Sequence, residues 1–181
     1  MARFLHSTTL TWRDDDGTGA ARDGELINPD LSAVEAVSSK YWKVAGGAVV
    51  EMSTEEKAVV DAAELTAAKV AKMMAIDAKT ATLVSAGVSV ATGKTISTSL
   101  VATQNLQNLW IGFQQGIVTL PKAISTTDGG TYTITDNADL IRIAALLRDF
   151  QLTILEAGQS LRADVLAATT LAGVVALEDN R

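Results

Sequence analysis

The chain has 181 residues, a formal net charge of −6 and no cysteine, which argues against direct nucleic-acid binding and excludes disulfide and thiolate chemistry. Apolar residues make up 48% of it and aromatics only 4%, a balance that suits closely packed alanine-rich helices rather than a large ligand pocket. No apolar run reaches the length of a membrane-spanning helix, and the start lacks the apolar core of a secretory leader.

Residues 1 to 13 read as extended, with Leu10 and Trp12 on one face. From 14 to about 40 no periodicity is visible. A stretch this long without structure of its own is unusual in a compact domain, so residues 1–40 are expected to form an extended attachment arm lying on a neighbouring subunit. Within it, Asp14, Asp16, Thr18, Gly19 and Glu25 fall at ligand and glycine positions of a calcium loop. Thr18 replaces the usual Asp or Asn, and Arg22 would aim a cation near the ion, so a polar surface loop is the favoured reading. Asp30 or Ser32 is expected to cap a short turn through Val34 and Val37.

Tyr41 to Val44 and Ala48 to Met52 flank Gly46-Gly47, a hairpin pattern. Ser53-Thr54-Glu55-Glu56 is a capping box, and a helix is expected from there to about Val84. Val60, Ala63, Ala67, Val70, Met74, Ala81 and Val84 fit a heptad seam on that helix, with Asp77 as the misfit. Residues 41–84 thus read as hairpin plus helix, followed by a third segment over 85–181. There, Gly87 to Ser97 reads as a short hairpin. Thr98 or Ser99 caps a helix to about Gly116, with Leu106, Leu109, Trp110, Phe113 and Ile117 on its buried face. A hairpin from Ile124 to Thr135 turns at Asp128-Gly129-Gly130.

The last element, from Asp136 to about Glu178, reads as one long helix. Leu140, Leu147, Ile154, Leu161, Ala168 and Val175 recur every seven residues. Ile143, Phe150, Ala157 and Leu171 interleave with them as a second row. Asp136 is its N-cap. Asp164 breaks the seam, and Gly158 and Gly173 each cost about 1 kcal/mol against alanine. Leu140, Ile143, Leu147, Phe150, Ile154, Leu161, Leu171 and Val175 are the residues expected at an oligomer interface, a trimer in the first instance. Leu10, Trp12, Tyr41 and Trp42 are the expected attachment anchors.

Catalytic chemistry has few footholds. His6 is the only histidine, so a histidine-based zinc site or a triad with a nearby base is not supported. Gly93-Lys94-Thr95 resembles part of a phosphate loop, but Val88 stands where its first glycine belongs. No catalytic residue, cofactor or firm metal site is assigned, and the chain is expected not to be an enzyme. The fold expected is α+β, with short hairpins alternating with long heptad-patterned helices in an elongated helical-bundle or coiled-coil core.

The tract from about Ala81 onward resembles a domain of unknown function found in tailed-phage virion proteins, including tail-fibre-like proteins. The resemblance rests on Gly87-Val88-Ser89-Val90 with Gly93, then Thr98-Ser99 and a helix carrying Leu106 and Leu109. The hairpin around Asp128-Gly129 and the long Ala/Leu helix ending in Ala167-Ala168-Thr169-Thr170 complete it. Tyr41 to Ala63 is similar to segments that precede this domain. The resemblance implies a virion component associated with fibres, assembled in the bacterial host cytoplasm. It implies no activity. The expectation is a tail or head fibre, fibre base or adaptor. Its partners would be other phage virion proteins and copies of itself, with no nucleic acid and no membrane insertion. The alternatives are a tail-fibre assembly chaperone and a receptor-binding fibre protein.

Overall fold

The computed structural model describes residues 2–15 and 20–181. The chain is α+β: α-helices combine with small antiparallel sheets. It divides into two compact units, Met1–Ala67 and Ala68–Arg181, with the division inside a helix rather than at residues 40 and 84.

In the first unit, β1 (Arg3–His6) is the central strand of an antiparallel sheet in the order β2-β1-β3, with β2 (Trp12–Asp14) and β3 (Glu25–Ile27) at its edges. Residues 3 to 14 are therefore two strands and a turn, not one extended strand. The turn has a local cause. The Nδ1 of His6 accepts the backbone N–H groups of Thr8 and Thr9, each at 3.3 Å, and Leu10 adopts a left-handed φ of 51°. Asp30 accepts the Ser32 N–H at 2.9 Å, a side-chain-closed turn of the kind aspartate favours. The turns that follow carry Val34 into a core with Leu5 and Val49. The expected bare arm thus contributes a three-stranded sheet and buried side chains to its own unit. Its apolar residues are too widely spaced in sequence for a periodicity count to find them.

The next hairpin, β4 (Trp42–Ala45) and β5 (Ala48–Glu51), turns at Gly46-Gly47. Both glycines have positive φ, 60° and 81°, as the two-residue turn matching strand twist requires. α1 (Thr54–Ala86) follows from a reciprocal capping box. The Ser53 N–H donates to Glu56 at 2.7 Å, and the Glu56 N–H donates to Ser53 Oγ at 3.3 Å.

The second unit is built on the later part of α1, two hairpins and three further helices. The first hairpin is β6 (Val88–Ala91) with β7 (Lys94–Ile96), so Gly93-Lys94-Thr95 is a hairpin turn and strand. α2 (Leu100–Gln114) is capped by Ser99, and β8 (Lys122–Ser125) pairs with β9 (Thr131–Ile134). α3 (Asn137–Ala167) is capped by Asp136, which accepts the Asp139 N–H at 2.8 Å. Val90, Ile96, Leu106, Ile134, Leu140 and Ile143 form the core. Gly87 has φ 89° and sits against Ile96, whose carbonyl oxygen a Cβ would strike.

The long helix expected to Glu178 stops at Ala167. Ala168 takes an extended conformation, and Thr170 starts α4 (Leu171–Ala176) by accepting the Gly173 N–H at 3.0 Å. Threonine competes with helix continuation because its hydroxyl satisfies backbone donors better as a cap. α3 is then about 46 Å long, and the chain after α4 returns to it. α3 runs antiparallel to the later part of α1: Lys69 donates to the Leu166 carbonyl at 2.8 Å, and Arg162 pairs with Asp77.

Candidate functional site

Burial on the helices decides which of their faces are available. On α1 the side buried in the second unit is that of Ile76, not the heptad seam. Val70 is 47% and Met74 67% exposed, and Asp77, the seam misfit, holds Arg162. The helix carries apolar residues on two faces. The heptad count found the more regular one, and packing uses the other. The same correction applies to α2: Leu106 is buried and Leu109 and Phe113 pack against the core, but Trp110 is 43% and Ile117 75% exposed.

On α3 the expected interface residues separate. Leu140, Ile143, Leu147 and Ile154 are buried within the chain itself. Phe150 and Leu161 are half-buried, and Leu171 and Val175, on α4, are exposed. Beyond Ile154 the buried positions are Gly158 and Val165, so the covered face moves off the heptad positions Ala157 and Asp164. A second apolar stripe stays uncovered. Ile141, Leu152, Leu155 and Leu166 are all exposed, and at about 100° per residue they share one face, roughly 110° round from the buried one. Beside this stripe, Trp110 with Ile141, Ala144, Ala145 and Arg148 lines a trough of about 330 Å³.

Gly158 has a packing reason rather than a loosening effect. The Arg181 guanidinium lies over it, donating to Thr80 Oγ1 at 2.8 Å and to the carbonyls of Ile154 and Ile76 at 3.2 Å each. Asp179 receives two further bonds from the same guanidinium, at 2.7 and 2.8 Å. Those bonds hold the Asp179 carboxyl well below the usual range, against the opposing effect of burial. No sequence pattern marked this cluster. Its members lie up to 105 positions apart. Asp139 is held differently. Burial pushes its carboxyl up, but hydrogen bonds from Arg142 and Tyr132 outweigh burial and leave it below the ordinary carboxylate range.

The expected attachment anchors lie in the first unit. Tyr41 donates its hydroxyl to Asp61 at 2.6 Å, and Trp42 donates its indole N–H to the Val37 carbonyl at 2.9 Å. Leu10 packs against the core. Trp12 is partly exposed, with the Arg3 guanidinium 4.7 Å from its ring centre.

Of the calcium-loop positions, Asp16 and Thr18 lie outside the described residues. Asp14 pairs with Arg3 at 3.5 Å. Glu25, which would close the loop, is taken by Arg13 at 2.9 and 2.7 Å and by the Arg22 N–H at 2.7 Å. Those bonds, the Arg13 side chain first, hold its carboxyl down at about 2. Among the described residues no group of acidic or histidine side chains is placed to hold a metal ion, and no helix is long and apolar enough to cross a membrane.

Compared with known proteins, the chain matches no family, no curated protein and no solved structure.

Proposed function

We propose that this chain is a non-enzymatic structural component of a tailed-phage virion. In this reading it is a fibre, a fibre base or an adaptor on tail or head. It assembles with copies of itself by helix packing, as a trimer, and docks on other virion proteins through its first unit. The observation that carries the reading is the second apolar stripe of α3. Ile141, Leu152, Leu155 and Leu166 remain in water although the same helix already fills its own unit's core. A helix needs one apolar face to fold and a second to associate. The resemblance of the tract from Ala81 to a phage virion domain supplies the biological setting, and the finer fold expected, a helical-bundle or coiled-coil core, would be completed by neighbouring copies.

Light scattering of the purified chain tests the assembly. A mass of three chains that falls to one in the Leu152→Lys, Leu155→Lys double variant is the expected result. Both side chains are already exposed, so the variant's fold should be retained. A single-chain mass at every concentration would overturn assembly by helix packing. Peptide mass spectrometry of purified particles tests the setting. Presence supports a virion component, and absence from mature particles would transfer the chain to the assembly-chaperone class.

A further inference from the structure

The two hairpins of the second unit meet at their turn ends, where Lys94 pairs with Asp128 at 3.6 Å, and then part. Thr127 donates its backbone N–H to the Thr95 carbonyl at 2.9 Å, and its hydroxyl lies 3.4 Å from the same oxygen. This is the first rung of an antiparallel ladder between the outer edges of β7 and β8. The next rungs would join Ser97 to Ser125, and they are not formed. The chain leaves β7 to start α2 instead, with Ser97 Oγ accepting the Ser99 N–H at 3.1 Å. Between the diverging edges lies a groove of about 410 Å³, walled on one side by β8 and floored by Leu106 and Leu109 of α2.

The register shows what the β8 edge offers. Thr126 donates its N–H to the Gly130 carbonyl, and β8 pairs onward with Ser125 opposite Thr131 and Ala123 opposite Thr133. Bonded and non-bonded pairs alternate along an antiparallel ladder. Ile124 and Lys122 therefore turn their backbone groups toward β9, while Ala123 and Ser125 turn theirs away from it. Thr127 obeys the same alternation and has found Thr95. Among the described residues Ala123 and Ser125 have no backbone partner. Among the described residues Lys122 is the only charged side chain lining the groove.

We propose that this groove binds an extended peptide segment of a partner protein, which adds to the outer edge of β8 as a further strand. Main-chain bonds to Ala123 and Ser125 would supply the pairing, and alternate side chains would point at the apolar floor. The segment has apolar residues at every second position and an acidic residue at the end that meets Lys122. None of the outer residues of α3 lines the groove, so the inference stands apart from self-assembly through that helix.

The test is an amide NMR titration of the full chain with a capped synthetic peptide of alternating threonine and valine, glutamate at both ends. Three partners complete it: the same peptide N-methylated at every residue, which removes the N–H donors of both edges, the Ser125→Pro variant and the Ser125→Ala variant. Proline at position 125 removes only an outward N–H, a place where edge strands accept it. The expected result is a shift of the Ala123 and Ser125 amides on adding the peptide. Binding should be about fivefold or more weaker in Ser125→Pro, the effect of one lost main-chain bond. It should be unchanged in Ser125→Ala and absent with the methylated peptide. No shift at Ala123 and Ser125, or equal binding of the methylated peptide, would overturn the proposal. If Ser125→Pro loses its native spectrum, the methylated peptide decides alone.

Discussion

Replacing Gly158 by alanine separates two opposed effects on one residue. Mid-helix, alanine gains about 1 kcal/mol over glycine. Here the new Cβ would lie 2.6 Å from Arg181 Nη1 and 2.9 Å from Thr80 Oγ1. The guanidinium would have to move, and Nη1 is the atom that donates to Thr80 and to the Ile154 carbonyl. Two hydrogen bonds from a charged donor are worth about 1.5 kcal/mol each. The net expectation for Gly158→Ala is a loss of about 2 kcal/mol, or about 8 °C in Tm for a unit of this size. In an Arg181→Ala background the guanidinium is gone, and only Thr80 Oγ1, bonded to the Ile76 carbonyl at 2.8 Å, must give slightly. The same substitution should then stabilise, by about 1 kcal/mol. The coupling between the two positions is thus about 3 kcal/mol. Urea and thermal unfolding followed by circular dichroism on the four chains of this cycle measure it. Stabilisation by Gly158→Ala in the otherwise unaltered chain would refute the reasoning. It would mean that Arg181 does not occupy the space above residue 158.

Glu25 predicts a pH effect. Its carboxyl is lowered from its ordinary 4.5 to about 2 by Arg13 and then by the Arg22 N–H. The stability it contributes is therefore full above about 4.5 and lost as pH falls toward 2. Glu25→Gln should flatten the acid-unfolding curve of the first unit in that window, read by tryptophan fluorescence. An unchanged curve would mean that the Arg13 pair does not distinguish folded from unfolded chain. Gly87→Ala should cost about 2 kcal/mol, because an L-residue at φ 89° is strained and its Cβ meets the Ile96 carbonyl; urea unfolding reads the loss. At the far end of α3, Val165→Ala should cost about 2 kcal/mol and Asp164→Leu less than about 0.5. A reversed order in the same assay would restore the heptad seam.

Local rules made much of the fold legible. Gly46-Gly47, the capping box at Ser53 and the caps at Ser99 and Asp136 each act over a few residues, so the elements they start were found close to their true beginnings, while the end of α3 was placed eleven residues too late. Long-range choices were not legible. Nothing near Trp110 tells whether its face of α2 meets the hairpins or water, and nothing near Arg181 tells that its guanidinium fills the space above Gly158. The early segment was misread for a related reason. Leu5, Leu26 and Val34 make a small core from three separate short pieces, and no window over one of them contains the pattern. The uncovered stripe of α3 was missed because the heptad search assigned the helix a single apolar face.

The position of Asp164 shows why a heptad count misleads on a helix that packs within its own chain. A strict seven-residue repeat requires 3.5 residues per turn, which two helices reach only by supercoiling around each other. A straight α-helix has 3.6, and the difference accumulates to about 20° per heptad. Seven turns from Leu140 span about 25 residues at 3.6 per turn, which leads to Val165 and leaves Asp164 about 100° away. The structure buries Val165 completely and leaves Asp164 exposed. The shift is already visible where Gly158 replaces Ala157 on the covered side. An aspartate that looks like a polar interruption of a seam therefore needs no role in setting register. It lies on the water side of a straight helix, and the drift that places it there also sets the face that Ile141, Leu152, Leu155 and Leu166 share. Those residues keep an eleven-residue spacing from Ile141 to Leu152 and again from Leu155 to Leu166, close to the repeat of a straight helix. A partner on that face would meet a straight stripe rather than a left-handed supercoiled one.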